Sequence, residues 1–276
     1  MMANKTSVLM SVYKNEQPNF FDASLKSILC DQIQKPDEFV LVCDGPLTDE
    51  LESVISKYNK QYPDIFKVFR TEQNQGLGKA LNFGLTHCSN AIIIRADSDD
   101  ICVPERIAVQ VDYLNKNPNI SIVSSFIDEF NEDYLKPINV KKLPLKNDEL
   151  VEMAKIRNPI NHMASAFRKD AIIDIGSYHH IPYVEDYELW VRAIVNGYQL
   201  GNIDKILVHA RIGNGMVKRR GNKEYIKSWK ILNKYMIQNK MIGKFGYFRN
   251  MTLIRAFVYM PTSLKKSVYK NVLRKE

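Results

Sequence analysis

Short apolar runs and helix-period stripes alternate along the first half of the chain. Thr6–Val12 reads as a strand, and Phe20, Phe21, Leu25, Ile28 and Leu29 form a helical stripe. Phe39–Cys43 is apolar without polar alternation, as a strand buried on both faces requires. Leu51, Val54, Ile55 and Tyr58 recur at helical spacing, with Asp49 and Glu52 placed as a capping box. Ile65–Arg70 reads as a strand, Leu77–His87 as a helix and Ala91–Arg95 as a strand. Pro104 suits the first position of a helix carrying Ile107, Val111 and Leu114 on one face, and Ile120–Ile127 is a further strand. The order β-α-β-α-β-α-β-α-β predicts an α/β fold: a doubly wound, mostly parallel sheet with helices on both faces.

Beyond Phe130 the pattern loosens. Residues 131–160 read as a loop with one short helix near Asp148–Ile156, Ala164–Arg168 as a strand and Tyr187–Val195 as a helix. From Gly213 onward the chain is basic and helical in pattern: Tyr225, Trp229, Leu232 and Met236 share a face, and Leu264, Val268 and Val272 repeat after Pro261. The expected division is residues 1–211 as the main domain and 212–276 as a mainly helical extension.

Charge sharpens that division. Residues 1–210 carry 22 Lys and Arg against 29 Asp and Glu, whereas 211–276 carries 17 against 2. A basic extension on an acidic body suits a polyanionic partner. An amphipathic helix of this kind can lie on an anionic membrane surface, or pack its apolar face on the body. No nucleic-acid signature accompanies it, so nucleic acid is not expected as a partner. The four cysteines are widely spaced without a C-x-x-C pair, which argues against a zinc site or disulfide framework and suits a reducing cytoplasm. No apolar run approaches the roughly 18 residues of a membrane span.

The candidate chemistry centres on Asp97-Ser98-Asp99-Asp100, directly after an apolar strand pattern. Three carboxylates within four residues repel one another, and a folded chain compensates them with a cation or with donors. Oxygen-only ligands suit a hard divalent ion, Mn²⁺ or Mg²⁺, of the kind that keeps open positions for substrate phosphates. The other reading is a solvated acidic turn. A calcium loop of the EF-hand type is excluded, because counting from Asp97 its required Gly and Glu fall on Cys102 and Ala108. Gly76-Leu77-Gly78-Lys79-Ala80 is neither a P-loop nor a dinucleotide fingerprint, since Gln73, Ala80 and Leu81 stand where those motifs need Gly, Ser or Thr, and Gly. Three polar segments follow strand ends, Tyr13–Glu16, Asp44–Leu47 and Asp97–Asp100, and a doubly wound sheet can bring such segments to one crevice.

Taken together, these residues resemble glycosyltransferase family 2, whose members have the GT-A (nucleotide-diphospho-sugar transferase, Rossmann-like) fold. Ser7–Glu16 looks like the family's first strand and nucleotide loop, with Val12, Tyr13, Asn15 and Glu16 at the nucleotide. Asp44 matches the acidic residue that recognises uracil, although Cys43-Asp44-Gly45-Pro46 departs from the common D-D-G-S form. Asn74-Gln75-Gly76-Leu77-Gly78-Lys79 matches the segment near the diphosphate, implying contacts from Asn74, Gly76 and Lys79. Asp97-Ser98-Asp99-Asp100 matches the D-x-D metal motif, and Glu185-Asp186 the catalytic acidic pair. Arg211–Met216, with Arg219 and Arg220, is similar to the C-terminal segment of the amylovoran-type branch.

The resemblance implies an inverting transferase with a UDP-sugar donor, a divalent metal and a polyprenyl-diphosphate-linked saccharide acceptor. It would act in O-antigen, capsule or exopolysaccharide assembly, on the cytoplasmic side and peripheral to the membrane. Asp99 is then the direct metal ligand. Asp97 holds ribose, or the metal through water; Ser98 lines the donor; Asp100 orients the loop, contacts the donor sugar, or is a polar residue preceding a helix. Asp186 is the base, with Glu185 beside it, unless the pair only charges the first turn of a helix. His162 lies near acceptor or diphosphate, or is structural. Lys79, Arg211, Arg219 and Arg220 can clamp diphosphate oxygens or remain solvated. A nucleotidyltransferase of similar fold and a non-catalytic binding module are the alternatives.

Overall fold

The computed structural model describes residues 5–213 and 221–261. Arg219, Arg220 and the repeat after Pro261 lie outside the described residues. The strands are β1 (Thr6–Val12), β2 (Glu38–Cys43), β3 (Phe66–Arg70), β4 (Ile92–Ala96), β5 (Ile101–Cys102), β6 (Ile120–Phe130), β7 (Asn139–Lys141), β8 (Ala166–Arg168) and β9 (Gln199–Arg211). The helices are α1 (Pro18–Leu25, continued by a π turn to Cys30), α2 (Asp49–Gln61), α3 (Leu77–His87), α4 (Arg106–Lys116), α5 (Asn147–Ala154), α6 (Lys169–Asp174), α7 (Glu185–Val195), α8 (Lys223–Gln238) and α9 (Lys244–Tyr259).

The sheet runs β3-β2-β1-β4-β8-β6-β9-β5, with β7 hydrogen-bonded to β6. The β3-β2-β1-β4 half is parallel throughout. β8 then enters antiparallel between β4 and β6, while β6 and β9 pair in parallel. Alternation along each strand sorts the core into two layers. Val8, Met10 and Val12 face α1, α2 and α4 through Phe21, Leu25, Leu51, Ile55 and Ile107. Leu9, Val40 and Ile93 face α3 and α7 through Leu81, Leu85, Leu189 and Trp190.

Several expected boundaries move, each for a local reason. The cap of α2 is Thr48, whose hydroxyl accepts from Leu51 N, so Asp49 is the first helical residue and the Asp49–Glu52 box does not form. Pro104 lies in a turn closed by Arg106 N on Val103 O, and α4 begins at Arg106. The strand expected from Ala164 begins at Ala166, because His162–Ala164 coils into a 3₁₀ turn. Residues 131–160 include β7 as well as α5.

The C-terminal helices form a hairpin on α7. Tyr225, Leu232 and Met236 of α8 and Met251, Ile254 and Val258 of α9 share a core with Ile181, Val184, Tyr187 and Val191. The apolar face of α8 is therefore covered by protein. Buried amides lock the hairpin to the body: Asn250 Nδ2 donates to Asn233 Oδ1 and to Lys155 O, both at 2.8 Å.

At the N-terminal edge of the sheet, buried Glu38 accepts from Lys67 Nζ (2.6 Å), Ser89 N (2.7 Å) and Ser7 Oγ. Burial raises its pKa, but these hydrogen bonds outweigh it and hold the carboxyl down to about 2, against a usual value of 4.5. A depressed folded-state value means the stabilisation is complete above about pH 4.5 and is lost as pH falls toward 2. Glu38→Gln is expected to cost about 1–3 kcal/mol at pH 7 and to flatten this acid limb in urea unfolding series. An unchanged acid limb would contradict the assignment.

Candidate active site

The carboxyl ends of β1, β2 and β4 lie side by side, so the loops that follow them meet. Asp44 N donates to Val12 O at 2.8 Å, and Ser98 Oγ donates to Glu16 Oε2 at 2.6 Å. Ser24 of α1 pins the acidic loop by donating to Asp97 O at 2.8 Å. Tyr13 and Asn15 are exposed at the rim, whereas Val12 is buried beneath it. The three polar strand-end segments thus meet at one end of the sheet.

Ligand oxygens of Asp97, Asp99 and Asp100 lie within 4.8 Å of one another. Asp99 is pushed up to about 7, first by burial and then by the charges of Asp97 and Glu16. Asp100 is raised well above the usual range, first by burial and then by Asp99 and Asp97. The loop is built to hold charge that it resists holding alone. Two arginines oppose the repulsion. Arg95, at 1% exposure, points from β4 to Asp97 with 2.5 Å between Nη2 and Oδ1. Arg211, ending β9, donates from its backbone N to Asp100 Oδ1 at 2.7 Å and from Nε to Asp99 O at 3.1 Å. Its guanidinium lies 3.7 Å from the Phe20 ring centre and 4.5 Å from that of Phe130. Asp100 therefore fastens the acidic loop to β9; it precedes the short strand β5, not a helix. Its Oδ2 is buried without a hydrogen-bond partner. An all-oxygen donor set with an orphaned buried carboxylate oxygen fits a hard divalent cation.

Asp44 is only 5% exposed, and its two carboxylate oxygens accept from Gln75 N (2.8 Å) and Gly76 N (2.9 Å). Asn74 Nδ2 returns a bond to Asp44 O at 3.3 Å. Asp44 thereby sets the entry of α3, on whose first turn Lys79 is exposed. Gly45 permits this approach, since a Cβ there would sit 2.6 Å from Asn74 N.

Beside the start of α3, α7 carries Glu185 and Asp186 in its first turn, and a Cβ on Gly78 would lie 3.4 Å from Glu185 Cβ. Asn158 Nδ2 donates to Asp186 Oδ2 at 2.5 Å, and Asn158 Oδ1 accepts from Ile160 N at 3.2 Å, so the asparagine aims that carboxylate. The loop before α7 has positive φ at Gly176, Ser177 and Tyr183. A buried ion pair holds it: Arg192 Nε meets Glu188 Oε1 at 2.7 Å while its other nitrogens bond Ile175 O and Ser177 O. Tyr183 is gripped by α8, whose Asn222 donates to its hydroxyl at 2.9 Å.

Tyr178 is buried against His162, with ring centres 5.7 Å apart. Its hydroxyl is held protonated by burial, against Arg95, with Asp186, Asp97 and Glu185 all reinforcing the effect. One hydroxyl thus feels both ends of the site. His162 Nε2 lies 3.0 Å from this hydroxyl; burial, with Arg95, drives the imidazole well below its usual pKa. His162 is accordingly a neutral, buried histidine.

Sequence reasoning missed Arg95, Asn158, Tyr178 and the Glu188–Arg192 clamp. Arg95 had a visible signal: a lone cation inside an apolar strand needs a buried partner, and the acidic loop begins two residues later. Asn158 had none, being far from Asp186 in the chain.

This architecture has known counterparts. The sequence profile described as "Glycosyl transferase family 2" matches residues 7–176. The chain belongs to glycosyltransferase family 2. It is similar to the amylovoran biosynthesis glycosyltransferase AmsE of Erwinia amylovora, with 37% identity over 96% of this chain and 97% of that protein. It is also similar to the UDP-Gal:alpha-D-GlcNAc-diphosphoundecaprenol beta-1,3-galactosyltransferase of Escherichia coli, with 38% identity over 98% of this chain and 97% of that one. Among solved structures it resembles S. aureus TarS 1-349 in complex with UDP-GlcNAc, with TM-score 0.68 at 16% identity, over 98% of this chain and 76% of that chain. The fold is GT-A.

The close packing of α3 on the α7 loop depends on Gly78, where a Cβ would stand 2.7 Å from His179 O and 3.4 Å from Glu185 Cβ. Gly78→Ala is expected to displace the acidic pair and lower transferase kcat by about 10²-fold, the scale of small misplacements in a positioned site. Steady-state kinetics of the variant check this; wild-type kcat would contradict it.

Proposed function

We propose that this chain transfers a hexose, galactose or glucose, from a UDP-sugar to a saccharide carried on polyprenyl diphosphate. The transfer inverts the anomeric centre and serves assembly of a bacterial surface polysaccharide, O-antigen, capsule or exopolysaccharide. The observation that supports the reading is the oxygen-only Asp97–Asp99–Asp100 cluster at the carboxyl end of β4, with the charges of Asp97, Asp186 and Glu185 all acting on the buried Tyr178 hydroxyl. The Escherichia coli relative, whose name includes a UDP-Gal donor and a GlcNAc-diphosphoundecaprenol acceptor, supports the choice of substrates.

Residues 1–211 carry the chemistry in this reading, and 212–276 form the extension. Tyr13, Asn15 and Glu16 border the nucleotide above Val12. Asp44 serves the base side by holding the Asn74–Gly76 turn in place, and Lys79 lies on the diphosphate side. Asp99 and Asp97 hold a divalent ion, Mn²⁺ or Mg²⁺, with Ser98 and Asp100 shaping the loop. Such an ion, when bound, supplies positive charge to the diphosphate leaving group. Arg211 acts at the diphosphate by fixing the loop through Asp99 and Asp100. Asp186, aimed by Asn158, takes the proton of the acceptor hydroxyl as that oxygen attacks the anomeric carbon and the bond to UDP breaks. Glu185 and the helix start behind it complete this wall. His162 supports Tyr178 from beneath. A lipid-linked acceptor places the protein at the inner membrane face as a peripheral enzyme.

The test is product analysis with a panel of UDP-hexoses and polyprenyl-diphosphate-linked GlcNAc. UDP release is expected, with chelation of divalent ions abolishing it and Asp186→Asn lowering kcat by about 10²–10⁴-fold. Release of pyrophosphate instead would overturn the reading. Asn158→Ala is expected to lower kcat by about 10–100-fold at unchanged donor KM, as loss of a hydrogen bond to a charged group does. A change confined to KM would place Asn158 in donor binding instead.

A further inference from the structure

Helix α9 is buried on one side only. Asn250, Met251, Ile254 and Val258 face α8 and α7. The outward side carries Phe245 at 80% exposure, Phe248 at 68% and Tyr259 at 68%, with Leu253 at 55% on its flank. Positions 245, 248, 252, 255 and 259 follow one stripe of an α-helix, and Arg255 is exposed within it. Single exposed apolar residues are ordinary, but aromatic rings aligned in water along one helix mark a docking surface.

The neighbouring helix adds the charge. Lys223, Lys227, Lys230 and Lys234 of α8 recur at i, i+4, i+7 and i+11, and all are exposed. The opposite sides of α8 and α9 enter the same core with α7, so the lysine row and the aromatic stripe each lie on the side of their helix turned away from that core. An aromatic stripe on one helix of a hairpin and a lysine row on the other fit the headgroup boundary of an anionic bilayer, where rings insert and ammonium groups meet phosphates. Self-association through this surface would press lysine stripe against lysine stripe, in a region with 17 Lys and Arg against 2 acidic residues.

The orientation also suits the chemistry. The Asn233–Asn250 bond sets the hairpin register, which brings Val258 level with Tyr225 in the first turn of α8. That turn adjoins Tyr183, two residues before Glu185. The C-terminal end of α9 therefore lies on the side of the acidic pair.

We propose that the outward side of the α8–α9 hairpin docks on an anionic bilayer, with Phe245, Phe248 and Tyr259 inserted and the α8 lysines at the lipid phosphates. The inference rests on the lipid-linked acceptor of the proposed function and names the surface that meets the membrane.

The test uses the full chain and sedimentation with vesicles of phosphatidylcholine alone, or with about one quarter phosphatidylglycerol. Binding to the anionic vesicles and weak binding to the neutral ones is expected. The combined variant Phe245→Ser, Phe248→Ser, Tyr259→Ser is expected to lower the partition coefficient at least about tenfold, and Lys223→Glu, Lys227→Glu, Lys230→Glu, Lys234→Glu to abolish binding, both at near-wild-type Tm. Wild-type chain that stays in the supernatant, or variants that bind like wild type, would overturn the proposal. So would a wild-type dimer in sedimentation velocity that the aromatic variant converts to monomer. Transfer to a short-chain, water-soluble acceptor separates the two claims. If it proceeds while vesicle binding fails, only the docking surface is wrong; if binding holds and no acceptor is used, only the proposed function is wrong.

Discussion

Asp97, Asp99 and Asp100 are held within a space too small for three free carboxylates, and the rest of the site is arranged around that crowding. Buried Arg95 answers it from below, through Asp97. Arg211 answers it from the side, through Asp100 and the backbone of Asp99, with its own guanidinium wedged between Phe20 and Phe130. The compensation is partial: Asp99 and Asp100 still sit at raised pKa values, chiefly from burial, then from the charges of Asp97 and Glu16 on Asp99 and of Asp99 and Asp97 on Asp100. In the proposed reading a divalent cation, when bound, would supply the remaining compensation.

The same constraint explains the long reach of the fold. β9 must run the full length of β6 to deliver Arg211 to a loop that ends β4, a hydrogen bond spanning 111 positions of the chain. On the opposite wall, the acidic pair is placed by other distant segments: Asn158 on Asp186, Arg192 and Glu188 on the preceding loop, and α8 on Tyr183. The C-terminal hairpin is thus tied to the site, since the helix that closes the α7 core also holds the loop leading into Glu185.

Much of this was legible from local pattern. Phe39–Cys43 of β2 and Ile92–Ile94 of β4 are unbroken apolar runs with polar residues soon after, which is what buried parallel strands look like. The three acids of residues 97–100 and the Gly76–Gly78 helix opening stood out because adjacent residues carry their chemistry, whereas the α7 acids were singled out only through the family resemblance. What stayed hidden depends on contacts distant in sequence. β8 contributes three residues and runs antiparallel between strands that sequence order would make neighbours. β9 loses its alternation at Asp204 and Lys205, where its pairing with β6 shifts register near Ser125 and Phe126. Thr48 took the cap from Asp49 because the hydroxyl one residue earlier reached Leu51 N. Asp44 was noted for its place after a strand, but its bonds to Gln75 and Gly76 need the folded turn to be seen.

The most direct measurement of the central claim is a Mn²⁺ titration of the chain with UDP present, followed by electron paramagnetic resonance, in wild type and Asp99→Asn. Saturable binding of a single ion by the wild type, lost in the variant, is the expected result. Binding that is absent in the wild type, or equally tight in Asp99→Asn, would contradict the account.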